Sequence, residues 1–188
     1  MPRALSVLRA FPFSAEHAGI SYLALHPVSW DEATVLEQRF SPGVTPEAAV
    51  LMASDLLHED YAYVFEAAWD LWIPSDSGKQ WELRPSQVQF FVYGTDFDEG
   101  ACQQEGHIAV DLGLDSAFLC EELRLANQAQ ERIRANVQKL VDFTIQAQRS
   151  SGASRRLLWS ESEENLADRL AARLTEWQGS AEAGQNGR

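Results

Sequence analysis

Cationic side chains are scarce in this chain, and lysine is nearly missing from it. Lys79 and Lys139 are its only lysines, and 15 Lys and Arg oppose 28 Asp and Glu, for a formal net charge of −13. Nucleic-acid binding requires clustered cations that displace counterions from phosphates, and anionic membranes attract polybasic segments. The composition therefore predicts that the chain binds neither nucleic acid nor membrane.

Cysteines and long apolar runs are also few. Cys102 and Cys120 lack the spacing of a zinc site, which predicts free thiols in a reducing compartment. Arg9 and Pro12 interrupt the apolar start, no signal-cleavage motif follows, and no run approaches transmembrane length. We expect a soluble cytoplasmic protein, and the preference for Arg over Lys is typical of bacteria with GC-rich genomes.

The signatures of several large enzyme classes are missing as well. The chain has no P-loop, no G-x-G-x-x-G, no G-x-S-x-G, no H-E-x-x-H and no paired-cysteine motif. These absences weigh against the common nucleotide-binding, serine-hydrolase and zincin classes, and they leave other enzymes open. No cofactor is predicted.

What the chain does contain is a concentrated block of negative charge. Residues 51–120 hold thirteen Asp and Glu against Lys79 and Arg84, a net charge of −11. Residues 1–50 carry −2, and residues 121–188 balance ten charges of each sign. Because summed surface charge steers approaching molecules, this block indicates a partner with a basic surface.

Length and composition predict one folded domain. Hydrophobic residues make up 45% of the chain and aromatics 10%, enough to build a core. We expect a single domain over residues 1–179. The polar tail at 180–188 has nothing to bury, so we expect it to be disordered.

The N-terminal third predicts two short strands and two helices. Residues 4–10 and 20–26 are rich in apolar residues and are interpreted as strands. A capping-box spacing at Ser29 predicts a helix to about residue 40, ended by the segment SPGV. Thr45, followed by proline and glutamate, predicts a second helix that runs to about residue 57.

The middle third alternates with period two and predicts an antiparallel meander over about residues 61–114. Its strands are 61–73, 81–94 and a segment around 105–115 in which every second residue is apolar. Pro85, early in the second strand, fits an entry bend or an edge better than a central position. Each strand has one apolar row, so we expect one face of the sheet to be buried.

The last third changes to helical spacing. Residues 119–149 predict one helix, or two with a break near Gln128. Residues 155–160 predict a short strand, and 160–177 predict a final helix. The whole pattern predicts an α+β fold, with a mostly antiparallel sheet and helices packed on one face.

The best candidate site combines a turn with the polar face of the strand that follows it. Its members are Asp96, Asp98, Glu99, Glu105, His107 and Asp111. Three interpretations stay open: a solvated surface, a recognition surface, and a metal or catalytic site. On a strand, His107 and Asp111 lie about 13 Å apart, too far to share one ion without the loop carboxylates. The D-x-D-x-G string is similar to the start of a calcium loop, but His107 stands where that loop needs its bidentate acid.

Other polar and aromatic residues favour structural interpretations. His58, Glu59 and Asp60 lie at a predicted helix-to-strand junction, where polar groups satisfy backbone ends. Trp69 and Trp72 fall on opposite strand faces, so one of them needs cover from another element or from a partner. The arginines of the last third are interpreted either as exposed helix charges or as contacts to the acidic face of a second copy. They are Arg124, Arg132, Arg134, Arg149, Arg155 and Arg156.

Two function classes follow from these patterns. The first is a non-catalytic protein, like an immunity protein or a secretion chaperone, that binds another protein with a basic surface through an acidic sheet face. The predicted order from Thr45 onward resembles that of secretion chaperones, which are small, acidic and commonly dimeric, and the resemblance implies an escort protein and a possible homo-oligomer. The alternative is a metal-dependent hydrolase, in which Asp96, Asp98 and Asp111 hold a divalent ion and His107 acts as base or ligand. We favour the binding protein.

Overall fold

The structure is a computed structural model that describes residues 1–75, 80–113, 115–118, 127–158 and Leu170. Its helices are α1 (Pro2–Ala10), α2 (Pro46–Ser54), α3 (Cys102–Glu105) and α4 (Asn127–Ser151). Its strands are β1 (Ile20–Pro27), β2 (Leu36–Val44), β3 (Tyr61–Pro74), β4 (Trp81–Tyr93) and β5 (Ile108–Asp111). Single turns of 3₁₀-helix lie at Phe97–Glu99 and Asp115–Ala117.

The five strands form one antiparallel sheet in the order β2-β1-β3-β4-β5. Alternate side chains of β3 build the core: Tyr63, Phe65 and Trp69 are at most 1% exposed and pack with buried residues of α1, α2 and α4. The predicted α+β fold is confirmed, and so is the period-two pattern that predicts β3 and β4. Pro85 lies beyond the four residues of β4 that pair with β5, in agreement with its predicted edge position.

The prediction of a strand at residues 4–10 is wrong, because this segment belongs to helix α1. Pro2 occupies the first helical turn, where its missing N–H costs nothing. Ala4, Val7 and Leu8 follow the three- and four-residue spacing of a helix and are buried, and α1 packs along α4. The apolar run therefore has helical periodicity, which the strand interpretation overlooked.

The helix predicted from Ser29 to residue 40 is also wrong. The backbone N–H of Ser29 donates to the carbonyl oxygen of Pro27 at 2.6 Å, and β2 begins at Leu36. The SPGV segment lies within β2 and does not end a helix. β2 pairs with β1 over most of its length, so the backbone hydrogen bonds of β1 are completed on that side. The hydrogen bonds between β1 and β2 therefore outweigh the local preference for a helix that the capping pattern at Ser29 indicates.

Helix α2 begins as predicted and ends earlier. The hydroxyl oxygen of Thr45 accepts a hydrogen bond from the N–H of Ala48 at 3.3 Å, and Pro46 is the first helical residue. The helix ends at Ser54, three residues before the predicted end. The following turn is fixed by Tyr63, whose hydroxyl accepts from the His58 N–H at 2.8 Å and donates to the Leu56 carbonyl oxygen at 3.0 Å.

The C-terminal third agrees with its predictions in part. α4 has the predicted helical character, and residues 119–126 lie outside the described residues. Residues 155–158 form no strand, so that prediction is wrong where the structure describes it. Of the predicted final helix only Leu170 is described, and it is helical and 4% exposed. The assignment of residues 1–179 to one domain and the disorder of the tail stay predictions. No helix in the described ranges is long and apolar enough to cross a membrane.

The far half of β3 extends past β1, and no strand of the described residues pairs with it on that side. Polar groups from elsewhere complete its backbone hydrogen bonds. The N–H of Ser14 donates to the carbonyl oxygen of Ala68 at 2.7 Å. The Lys139 ammonium donates to the backbone carbonyl oxygen of Asp70. The Asn136 amide pairs with both the N–H and the carbonyl oxygen of Trp72. Side chains of α4 thus replace a neighbouring strand.

The two tryptophans of β3 lie on opposite faces as predicted. Trp69 is fully buried in the core. Trp72 is half-buried and lies beneath the guanidinium of Arg132, whose central carbon is 3.5 Å from the ring centroid. The cover of Trp72 thus comes from the same chain. Arg156 donates to the Thr144 hydroxyl at 3.2 Å, and Arg124 lies outside the described residues.

Candidate binding surface

Three loops meet at one end of the sheet. They are residues 28–32 after β1, 58–60 before β3 and 94–99 after β4. Backbone hydrogen bonds join the three loops. The Val28 N–H donates to the Asp60 carbonyl oxygen at 2.7 Å, and the Val28 carbonyl oxygen accepts from the Asp98 N–H at 2.7 Å. The Asp96 N–H donates to the Glu59 carbonyl oxygen at 2.8 Å. The carboxylates of these loops form what we call the acidic end. Its members are Asp31, Glu32, Glu59, Asp60, Asp96, Asp98 and Glu99.

A glycine permits this close approach of the loops. A Cβ atom on Gly94 would lie 2.1 Å from the Glu59 carbonyl oxygen, a distance that real side chains do not adopt. The Gly94 N–H donates to the Tyr61 carbonyl oxygen at 2.8 Å. The end of β4 is therefore held directly against the start of β3, which brings the 94–99 loop beside Glu59.

All members of the acidic end except Asp60, which is partly buried, are exposed to solvent. Asp96, Asp98 and Glu99 are exposed, as are Glu59 and Glu32. Within the described ranges the ion pairs are Arg9–Glu47 and Arg84–Glu82, neither of which involves the acidic end. No cation of the described chain therefore neutralises these carboxylates, and their summed potential acts outward.

An aromatic cluster supports the acidic end from below. Trp30 packs edge-on against Phe97 at a centroid distance of 5.0 Å, against Phe91 at 5.9 Å and against Tyr93 at 6.1 Å. Phe97 is fully buried, whereas Trp30 keeps 39% of its surface exposed. Trp30 thus lies partly in the cluster and partly in solvent, and Asp31 and Glu32 follow it in the same loop. Such half-buried aromatics are typical anchors of protein interfaces.

The backbone at this end is strained in several places. Val28 has a φ of 60°, an outlier for a β-branched residue, and is 54% exposed. Asp98 and Glu99 also have left-handed φ values, 48° and 54°, and Gly100 follows at 87°. The hydrogen bonds that join the loops hold Val28 and Asp98 in these conformations. The acidic end is therefore preorganised.

The structure separates the six predicted site residues: three lie in the 94–99 loop, two lie at the ends of β5, and Glu105 lies in α3. Asp96, Asp98 and Glu99 lie together in the 94–99 loop, at the end of the sheet and not on its face. His107 and Asp111 lie at the two ends of β5 and are exposed. Asp111 pairs with Gln89 of β4, and its carboxylate accepts a hydrogen bond from the Gly113 N–H at 2.8 Å.

β5 is shorter than predicted. It spans Ile108–Asp111, so Glu105 belongs to α3, which corrects its predicted position on the strand. The side chain of Glu105 lies outside the described residues, as does Leu114. The alternation within the four strand residues is retained, because Ile108 and Val110 pack against the core.

The described residues offer no support for metal or small-molecule chemistry at the predicted site. Among the described His, Cys, Asp and Glu residues, no three are placed to hold a metal ion. Two open clefts, of about 680 and 550 Å³, are lined by α4 residues 142–150 and by residues 15–21 with 40–43. None of the six predicted residues lines either cleft. Cys102 is buried, with its sulfur 3.7 Å from the Thr95 carbonyl oxygen, and Cys120 lies outside the described ranges.

His26 lies under the edge of the aromatic cluster. Its ring centroid is 4.9 Å from that of Trp30, and its Nδ1 atom is buried with no hydrogen-bond partner in the described structure. Burial lowers the pKa of His26, and the Glu37 carboxylate on β2 opposes that shift. The neutral imidazole is therefore the form that fits beneath Trp30.

Sequence reasoning missed Trp30 and the contribution of residues 58–60. The capping pattern at Ser29 places Trp30 in a helix that does not form, and the sequence around Glu59 and Asp60 indicates only a helix-to-strand junction. The junction itself is correct, since these residues lie between α2 and β3. No local pattern reveals that it touches the 94–99 loop. No protein-family model matches the chain, and the searches of curated proteins and of solved structures found none similar to it.

Proposed function

We propose that this protein binds another protein that presents a basic surface, through the acidic end and with Trp30 as the apolar anchor. The observation that carries the proposal is the exposed Trp30 ring among carboxylates that no cation of the described chain neutralises. Interface hot spots combine a half-buried aromatic with a polar rim in this way. The function is non-catalytic binding in the bacterial cytoplasm, of the kind performed by immunity proteins and secretion chaperones.

Electrostatics supports a basic partner over a neutral one. Five of the seven carboxylates of the acidic end belong to residues 51–120, and that segment carries a net charge of −11. Complementary charge raises the rate of encounter and suppresses partners of like charge. The Debye length falls from about 8 Å at 0.15 M salt to about 3 Å at 1 M, so this attraction is lost at high salt.

The test is capture of partners from a bacterial lysate with the immobilised chain, followed by binding measurements on the purified partner. We expect a basic protein that binds at about 0.15 M salt and is released at about 1 M. Replacing an aromatic anchor by alanine typically costs 2 kcal/mol or more, so Trp30→Ala should weaken binding by about 30-fold. An Asp96→Lys, Glu99→Lys double variant should also lose the partner.

A matched control changes the same charge elsewhere. Glu131 and Asp142 are exposed on α4, far along the chain from the acidic end, so a Glu131→Lys, Asp142→Lys variant has the same net charge as the test variant. Equal loss of binding in both double variants would show that only net charge matters and would remove the acidic end as the site. Capture that neither salt nor Trp30→Ala affects would refute the proposal as a whole.

A further inference from the structure

Strand β2 forms one edge of the sheet. Among the described strands it pairs with β1 alone, so no described strand meets the other side of its backbone. An edge of this kind presents a row of N–H and carbonyl groups that can bind a further strand. The part of β2 that suits such pairing is residues 36–40, because Pro42 beyond it has no N–H to donate. We call residues 36–40 the β2 edge.

The side chains of the β2 edge alternate between the two faces of the sheet. Leu36 and Phe40 are partly buried and pack against the core. Glu37 and Arg39 are exposed and lie on the other face, beside Tyr22 of β1. Neither of these two charged residues takes part in an ion pair of the described chain. Both charges are therefore available to groups of another molecule.

The order of residues in the β2 edge is self-complementary. When two antiparallel copies are aligned on Gln38, Glu37 of each copy lies opposite Arg39 of the other, and Leu36 lies opposite Phe40. Directly opposite side chains of antiparallel strands have Cβ atoms about 4.5–5.5 Å apart, so opposite charges there attract and like charges repel. Centring the alignment on Glu37 or on Arg39 instead sets that residue opposite its own copy. The charges therefore select one alignment.

We propose that a second copy of this chain pairs antiparallel with the β2 edge, so that two five-stranded sheets join into one about a two-fold axis at Gln38. A two-fold interface requires a surface that matches itself. The β2 edge does so twice over, with charged pairs on one face of the sheet and apolar pairs on the core face. The proposal does not depend on the basic partner proposed above.

The charges around the β2 edge permit this pairing. Antiparallel strands direct the acidic ends of the two copies to opposite ends of the joined sheet. Asp31 and Glu32, which precede β2, then lie towards the uncharged residues 44–45 of the other copy. Glu47, the next carboxylate after β2, is paired with Arg9 at 2.6 Å. Each copy carries −13, but at 0.15 M salt the Debye length of about 8 Å screens distant carboxylates more than directly opposite pairs.

The short length of the β2 edge limits the strength of the dimer. Stable interfaces bury about 800 Å² per partner, and the β2 edge supplies a single stretch of strand. We therefore expect a dimer that dissociates on dilution. Sedimentation equilibrium of the purified chain in about 0.15 M salt measures this. The weight-average mass should rise from 21.0 kDa towards twice that value as the protein concentration increases.

Charge reversal tests the alignment. Glu37→Arg and Arg39→Glu each replace two attractive pairs of the dimer by two repulsive ones, so either variant alone should have a dissociation constant about tenfold higher or more. Mixing the two variants should restore association, because every arginine then lies opposite a glutamate of the other chain. The combined Glu37→Arg, Arg39→Glu chain should also dimerise like the unaltered chain.

The matched controls are Glu131→Arg and Arg134→Glu, which make the same charge changes at exposed residues of α4. They should dimerise like the unaltered chain, and circular dichroism checks that every variant folds. A mass of 21.0 kDa at every concentration would overturn the proposal. Folded single variants of the β2 edge that dimerise normally would do the same, as would a mixture that associates no better than its components or controls that lose association equally. Capture of a basic partner by the acidic end is tested with other residues and is unaffected by these outcomes.

Discussion

Asn136 holds the free edge of β3, and its replacement by leucine should destabilise the protein strongly. It lies on α4 and is 1% exposed. Its side-chain oxygen accepts from the Trp72 N–H at 2.9 Å, and its side-chain nitrogen donates to the carbonyl oxygens of Trp72 and Ala117, each at 2.8 Å. Leucine has a similar volume but can form none of these bonds. Three backbone groups would then lose their partner in a buried place.

The expected cost follows from the number of groups left unpaired. A hydrogen bond contributes about 1 kcal/mol net, and a buried group that loses its partner costs about 1–3 kcal/mol. Allowing for partial hydration at the strand edge, we expect Asn136→Leu to lower the free energy of unfolding by about 3 kcal/mol. Domains of this size are stable by about 5–15 kcal/mol, and each kcal/mol shifts the Tm by about 2–4 °C. The Tm should therefore fall by about 6–12 °C.

Urea unfolding followed by tryptophan fluorescence measures this difference. The control is Gln138→Leu, which removes an exposed amide of the same helix whose bond goes to the Asp142 carboxylate. That exposed change should alter stability by less than about 0.5 kcal/mol. A stability of Asn136→Leu within about 0.5 kcal/mol of the unaltered chain would show that water replaces the amide without cost. The account of how α4 substitutes for a strand would then be wrong.

Two further predictions concern the acidic end. Gly94→Ala places a methyl group 2.1 Å from the Glu59 carbonyl oxygen and should cost about 3 kcal/mol or more. Gly152→Ala, at a φ of 66° with nothing within 4 Å of the added methyl group, should cost about 1–2 kcal/mol. Equal losses in thermal melts would contradict the proposed close approach. Burial lowers the pKa of His26 below its unfolded value, so the unfolded state binds a proton first as pH falls. The stability that neutral His26 contributes is therefore complete above the unfolded pKa of about 6.5 and is lost as pH falls through that value towards the folded pKa. His26→Phe should lose less stability than the unaltered chain between neutral and mildly acidic pH, and parallel pH profiles would contradict this.

The central strands were predictable because their information is local. The side chains of β3 alternate between the core and the other face, so Tyr63, Phe65 and Trp69 form an apolar row that can be recognised in the sequence. The start of α2 is equally local, because the Thr45 cap and Pro46 act within one turn. The exposed position of Asp96, Asp98 and Glu99 follows from their place in a polar turn.

The first 45 residues were not predictable in the same way. β2 is a strand because β1 offers an unpaired edge, and its own residues are mostly exposed and show no clear alternation. The assembly of the acidic end has a similar cause. Trp30, Glu59 and Asp96 come from segments about 30 residues apart, and only the register of β1, β3 and β4 brings them together. No short window of sequence contains that register.

We expect the carboxylates of the acidic end and the neighbouring Trp30 to affect different rate constants of the proposed binding. Its carboxylates lie in loops at the end of the strands, where most of them are exposed to solvent, so in the proposed complex they would act at a distance on the approaching partner. Trp30 is fixed by Phe97 and Phe91, so it can fill an apolar site on the partner without becoming more ordered. We therefore expect Asp96→Lys to lower the association rate constant, with little change in dissociation, and to flatten its dependence on salt. Trp30→Ala should instead raise the dissociation rate constant. Surface plasmon resonance with the captured partner distinguishes the two, and identical kinetic changes in both variants would refute this division.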